Sequence, residues 1–218
     1  MVLLKIVAVI PAYNEEKRIR DVLVKTKKHV NKIIVIDDGS KDKTSDVARK
    51  TGAKVIRYSI NRGVGHATKI GLIEALKTRS DMIIFLDADG QHDPKYIPQF
   101  IGAIKKGADY VVGCRDLSNY PMDRKIGNWG LTFLTNLICN TGISDTESGY
   151  RALTYDAAKK VTLKAERYGR EMDFSFSAWK NKFKIAQVMV AVPTYYPKFA
   201  IFRGFKNFFY LLGRRLGI

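Results

Sequence analysis

Through its first 113 residues the chain alternates short, mostly apolar runs with longer amphipathic segments, and no other feature constrains its fold as strongly. Lys5 to Ile10, Lys32 to Ile36, Ala53 to Tyr58, Met82 to Leu86 and Tyr110 to Gly113 are short and rich in branched or aromatic residues, which predicts buried β-strands. Helices are predicted between them. The first runs from about Glu15 to Val30, capped by Asn14, with Ile19, Val22, Leu23 and Val30 on one face. Others cover Thr44 to Lys50, ended by Gly52, and Gly65 to Lys77, and a further one starts at Asp93-Pro94 with proline in its first turn. Strands joined by helices imply an α/β fold, a mostly parallel sheet with helices on both faces. Beyond residue 113 the alternation loosens. A polar loop (Arg115 to Arg124), a helix near Ile126 to Cys139, a loop from Gly142 to Tyr150, a helix near Phe174 to Asn181 and a strand from Ile185 to Val190 follow.

A chain of 218 residues, 46% of them hydrophobic, is expected to form one domain. Its formal charge of +17 implies an anionic partner: a nucleic acid, an acidic membrane surface or a phosphorylated substrate. No nucleic-acid motif is present, so a basic nucleic-acid-binding module is the weaker alternative. Cys114 and Cys139 form no metal or redox motif and are expected to be buried. No stretch reaches the ~18 apolar residues of a spanning helix, and the amino terminus has no signal-peptide pattern, so an intracellular location is expected.

The chemistry-bearing residues cluster where strands end. Pro11-Ala12-Tyr13-Asn14-Glu15, Asp37-Asp38-Gly39-Ser40 and Asp87-Ala88-Asp89-Gly90-Gln91 follow three successive strands of one sheet edge. Ligands of open α/β sheets bind at that edge. Asp87 and Asp89 offer hard oxygen donors suited to Mg²⁺ or Mn²⁺, with Gln91 and His92 as further ligands, although an acidic turn has the same spelling. His66 and His92 are otherwise expected to be structural.

In this order the three motifs resemble those of the family 2 glycosyltransferases of GT-A fold, with a Rossmann-like sheet. The similarity is strongest to the dolichyl-phosphate and polyprenyl-phosphate sugar synthases. The resemblance covers nearly the whole chain, read as one domain. Residues 1–113 would bind a UDP- or GDP-sugar, 114–198 the acceptor, and 199–218 form a basic aromatic segment. It implies a nucleotide-sugar site from Pro11, Tyr13, Glu15, Ile36, Asp38, Ala88, Asp89 and Arg203. It further implies metal ligation by Asp87, Asp89 and Gln91, and an acceptor phosphate held by Arg115, Arg124 and Lys125, with Asp89 and Arg115 central to catalysis. Ser144-Asp145-Thr146-Glu147-Ser148-Gly149-Tyr150-Arg151 resembles the family's D-x-x-S-G-[FY]-R loop, so Asp145, Glu147 and Ser148 are expected beside the acceptor or donor sugar. Asn61 to Ala67 resembles a segment near the nucleotide.

The expected reaction is an inverting, metal-dependent transfer of a hexose-type sugar to dolichyl or polyprenyl phosphate. The alternative is transfer to a sugar hydroxyl with Asp145 or Glu147 as base. A phosphate, already largely dianionic with its second pKa about 6, needs no such base. The segment from Phe199 to Arg215 interleaves aromatic and basic residues. It fits either an interfacial element or a helix docked on the core, so a peripheral position on the cytoplasmic face of the membrane is expected.

Overall fold

The computed structural model describes residues 4–118, 120–166, 169–191 and 210–215. Seven strands form one sheet: β1 (Ile6–Ala12), β2 (Lys32–Asp37), β3 (Lys54–Arg57), β4 (Met82–Phe85), β5 (Tyr110–Arg115), β6 (Arg151–Thr154) and β7 (Ile185–Val190). Their spatial order is β3-β2-β1-β4-β6-β5-β7. All pairings are parallel except those of β6, which runs antiparallel between β4 and β5.

The side-chain alternation of β1 divides the core. Ile6, Ala8 and Ile10 face helices α1 (Ile19–Lys27), α2 (Thr44–Lys50) and α4 (Ile97–Lys105), where they meet Leu23, Ala48 and Phe100. Val7 and Val9 face α3 (Val64–Leu76), α6 (Tyr155–Lys160) and α7 (Arg170–Lys180), meeting Leu72, Ala158 and Phe174. A third cluster joins α5 (Met122–Cys139) to α7 and to a helical turn over 210–215, through Ile138, Cys139, Met172, Phe176 and Leu211.

Four sequence-based expectations change. Asn14 does not cap the first helix: it adopts φ 56°, and α1 begins at Ile19. The backbone amides of Asn14, Glu15 and Glu16 are instead spent on Ser40 Oγ (2.9 Å), Thr44 Oγ1 (2.8 Å) and Asp42 Oδ2 (3.1 Å), which lace the first and second strand-end loops together. α5 starts at Met122 and α7 at Arg170, each four residues earlier than expected. The Asp93-Pro94 start is a 3₁₀ turn (Pro94–Tyr96) with Asp93 capping Lys95 N, and α4 follows it. β6 and α6 had no counterpart in the periodicity, because Arg-Ala-Leu-Thr is too short and mixed to read as a strand. Cys114 and Cys139 are free and buried, as expected, and burial pushes each thiol up to about 11.

β6 matters for the site because of its direction. Its first residue, Arg151, pairs with Phe85 of β4 and Val112 of β5, so the loop before it arrives at the carboxyl ends of the parallel strands. One antiparallel strand thus delivers residues 145–150 to the edge where the other motifs lie.

Candidate active site

At the end of β2 the two adjacent aspartates divide their work. Asp37 is fully buried and closes its own turn, accepting hydrogen bonds from Ser40 N (2.8 Å) and Ser45 Oγ. Asp38 reaches across to the loop before α3, where Oδ1 accepts from Arg62 N (3.0 Å) and Oδ2 from Gly63 N (2.6 Å). Turn closure therefore belongs to Asp37, and each Asp38 oxygen retains further acceptor capacity. Gly39 adopts φ 79°, and a Cβ there would stand 2.9 Å from Asn61 N, so the loop packs directly on glycine backbone. Pro11, Ala12, Tyr13, Asp38, Asn61, Gly63, Val64 and Ala67 line a cavity of about 580 Å³. Pro11, Tyr13 and Asp38, expected to be neighbours, come together here.

Ile36 does not join them. It is fully buried in the core against α3, with its side chain below the site rather than in it. Glu15 lies nearby and pairs with Arg18 (2.8 Å), while burial raises its pKa against the pull of that arginine. His66 Nδ1 is buried without a hydrogen-bond partner among the described residues, and its ring meets Tyr58 edge-on.

At the end of β4, Asp87 and Asp89 occupy one turn. Asp89 Oδ1 accepts from Gln91 N (2.9 Å), and Gly90 takes φ 80° to complete the turn. Burial and then the charge of Asp87 raise the Asp89 pKa. Asp87 itself stays below the ordinary carboxylate value. Burial opposes this, but the Arg170 guanidinium, 2.8 Å from Oδ1, and neighbouring His92 outweigh it. His92 is buried, its pKa lowered by burial; Nδ1 accepts a hydrogen bond from Asp87 N (3.0 Å) and the ring stacks on Tyr150. Ala88 is buried between the two carboxylates.

Sequence reasoning missed Arg170. It is buried at the start of α7 and binds Asp87, Glu171 Oε1 (2.6 Å) and Thr68 Oγ1 (3.1 Å). Nothing in the surrounding spelling marks it, since the contact with Asp87 spans 83 positions. Gly149 makes it possible: a Cβ there would lie 2.6 Å from Arg170 Nη2 and 3.0 Å from Asp87 Oδ2.

Arg115, at the end of β5, is clamped by Asp145. Nε donates to Oδ2 (2.6 Å), Nη2 to Oδ1 (2.9 Å), and the Arg115 backbone N–H also reaches Oδ2 (3.1 Å). Nη2 also donates to Asn128 Oδ1 on α5 (3.1 Å). Burial disfavours the ionised form of Asp145, and the bonds and charge of Arg115 more than reverse that, holding its carboxyl low. Glu147 behaves oppositely. Burial, Glu171 and Asp145 push it up to about 8, and its Oε1 is buried with no partner among the described residues. Ser148 O and Thr146 O both accept from the fully buried Arg151, which fixes the loop. Lys125 Nζ donates to Ser118 O (2.7 Å). The Arg124 side chain, Arg203 and residues 192–209 lie outside the described residues.

The family model of glycosyl transferase family 2 matches residues 7–162. The chain belongs to this family, and it is a glycosyltransferase. It is 40% identical to an uncharacterised protein of Methanocaldococcus jannaschii, over 92% of this chain and 85% of that one. It is 35% identical to the UDP-N-acetylglucosamine–dolichyl-phosphate N-acetylglucosaminyltransferase of Methanococcus voltae, over 96% of this chain and 95% of that one. Its fold superposes on the glucosyl-3-phosphoglycerate synthase of Mycobacterium tuberculosis, solved with Mn²⁺, UDP and glucosyl-3-phosphoglycerate. The TM-score is 0.78 at 23% identity, covering 99% of this chain and 81% of that one.

Proposed function

We propose that this glycosyltransferase moves a hexose-type sugar from a UDP- or GDP-sugar to dolichyl or polyprenyl phosphate, inverting the anomeric carbon. One observation carries the acceptor assignment: Asp145, the acid beside Arg115, is bound at both oxygens by that arginine, which holds its carboxyl low and makes it a poor base. Burial and two neighbouring acids raise Glu147 to about 8, so it is mostly protonated at neutral pH. A sugar hydroxyl would require a base, and a phosphate does not. The dolichyl-phosphate substrate named for the 35% identical relative supports the same reading.

The residues take the following roles. The cavity beside Tyr13 and Asp38 receives the nucleoside, with an Asp38 lone pair reading a base N–H. Asp87, Asp89 and the Gln91 amide would hold the Mg²⁺ or Mn²⁺ that serves the donor diphosphate. The fit lies in the donor set, since two carboxylates close enough for Asp87 to raise the Asp89 pKa, with an amide-bearing residue in the same turn, suit a hard divalent cation. Among the described residues no three His, Cys, Asp or Glu gather as a complete cage, so diphosphate and water oxygens would supply the remaining ligands. Such a metal, when bound, stabilises charge on the leaving diphosphate. Arg170 keeps Asp87 ionised and oriented. Arg115, already aligned by Asp145 and Asn128, meets the acceptor phosphate, with Lys125 adding positive charge.

Peripheral membrane contact is assigned to α5. Its inner face holds Arg115 through Asn128 and the loop through Thr132, while Met122, Ile126, Trp129, Phe133 and Leu137 form an exposed apolar stripe along its outer face. Trp129 is 68% exposed and stacks on Phe133. No helix among the described residues is long and apolar enough to cross a membrane.

The test is a donor panel of UDP-N-acetylglucosamine, UDP-glucose and GDP-mannose with polyprenyl phosphate and Mn²⁺ or Mg²⁺, followed by solvent extraction. A lipid-linked sugar that disappears with chelator is expected. Transfer to soluble glycan hydroxyls, with no lipid product from any donor, would overturn the assignment.

A further inference from the structure

We propose that Glu147 works as a neutral carboxylic acid, donating a hydrogen bond to the acceptor phosphate beside Arg115. This rests on the phosphate-acceptor reading and deepens it. Glu147 lies between two arginine–carboxylate clusters. On one side is Asp145 with Arg115; on the other is Glu171, whose carboxylate holds Arg170, which in turn binds Asp87. The charged groups that face it are Asp145 from its own loop, Glu171 from α7, Arg115 from β5 and Arg151 from β6. Among the described residues, α5 brings neutral groups to this loop and its arginine: Thr132, which accepts from Thr146 N and meets its hydroxyl, and Asn128, which accepts from Arg115.

Neither arginine pairs with Glu147. Arg115 directs Nε and Nη2 to Asp145 and Asn128, and Arg151 spends its donors on Ser148 O, Thr146 O, Tyr110 Oη and Glu171 O. Buried carboxyl oxygens in native proteins are hydrogen-bonded, so Glu147 Oε1, without a partner among the described residues, points to a ligand. An ionised carboxylate here would face two other acids and repel an incoming phosphate dianion. The protonated form instead supplies an O–H to a phosphate oxygen, the device by which a neutral acid serves as a donor in an anion site. Burial and the two neighbouring acids hold that proton, raising the group to about 8.

Glu147→Gln, which keeps a donor but cannot ionise, separates this from the alternatives through two readouts. The first is the pH dependence of the acceptor KM, with polyprenyl phosphate as the varied substrate. Wild-type KM is expected to rise about tenfold between pH 7 and 9 as the competent, protonated fraction falls. Glu147→Gln should hold kcat within a few-fold and show a flat KM over that range. A Glu147→Gln variant that loses kcat by a hundredfold or more with unchanged acceptor KM would make Glu147 a base. An unaltered pH profile would assign the titration elsewhere. Either result overturns the proposal.

The second readout needs no substrate. A carboxyl raised in the folded state costs stability as pH climbs from its unfolded value to its folded one. The melting temperature of Glu147→Gln should therefore gain on wild type from about pH 5 to pH 8 and then level off. A constant difference over that range would show an ionised Glu147 and contradict the proposal. If neither protein makes lipid-linked sugar, the phosphate-acceptor reading fails and the acceptor contact fails with it. Transfer by both proteins with identical pH profiles sinks only the role of Glu147.

Discussion

The side chains at the sheet edge work in pairs that balance charge, and the pairs explain residues that look alike in the sequence. Asp145 and Glu147 are both acids on one loop, yet Arg115 holds the first low while burial and two neighbouring acids raise the second to about 8. Asp145→Asn should lose about 3 kcal/mol at pH 7, because it strands a largely buried Arg115. The sign of the pH dependence follows from the lowered Asp145 pKa. Its stabilisation is present above the ordinary carboxylate value and lost as pH falls through the depressed one. Urea unfolding of Asp145→Asn and wild type should thus differ at pH 7 and converge on acidification below about pH 4. Gly149→Ala forces a methyl against Arg170 and Asp87. It should cost about 1–3 kcal/mol in urea unfolding and lower turnover at least tenfold, since the displaced groups orient the candidate metal site. Unchanged turnover would show that Asp87 tolerates the shift.

At the scale of the elements, the legible part of the sequence was the part with local periodicity. Strands of branched residues and helices with one apolar face announced themselves through the first 113 residues, and the strand-end acids located the site edge. β6 was hidden because its partners, β4 and β5, come from distant segments and its buried Arg151 reads as a surface charge. Arg170 was hidden for the same reason: its acid lies on another element. Ile36 lies in the core against α3, one layer beneath the residues that line the cavity, a depth that strand spelling alone does not give. α5 was expected as a helix, but its outward stripe needed the fold to show which face was left uncovered. Trp129→Glu combined with Phe133→Glu should cut binding to anionic vesicles at least tenfold in flotation assays while leaving the melting temperature within about 2 °C, as for exposed positions. Undiminished flotation would move membrane contact to another surface.

Across the whole molecule, the sheet order places the cavity-bearing strands β1 and β2 and the loop of residues 145–150 on either side of β4, and the single antiparallel strand closes the gap between them. The turn over 210–215 docks through Asp173, which accepts from Tyr210 Oη (2.7 Å) and pairs with Arg214, so this part of the basic tail is built into the core. A surplus of +17 suits the two proposed partners, an acidic bilayer and phosphate-bearing substrates. The proposed acceptor atom is a phosphate oxygen that needs no base. The most direct measurement offers the purified enzyme two acceptors with the same isoprenoid tail, polyprenyl phosphate and the parent polyprenol, with one labelled nucleotide sugar and Mn²⁺. Labelled lipid is expected from the phosphate alone. Label on the alcohol at a comparable rate would contradict it.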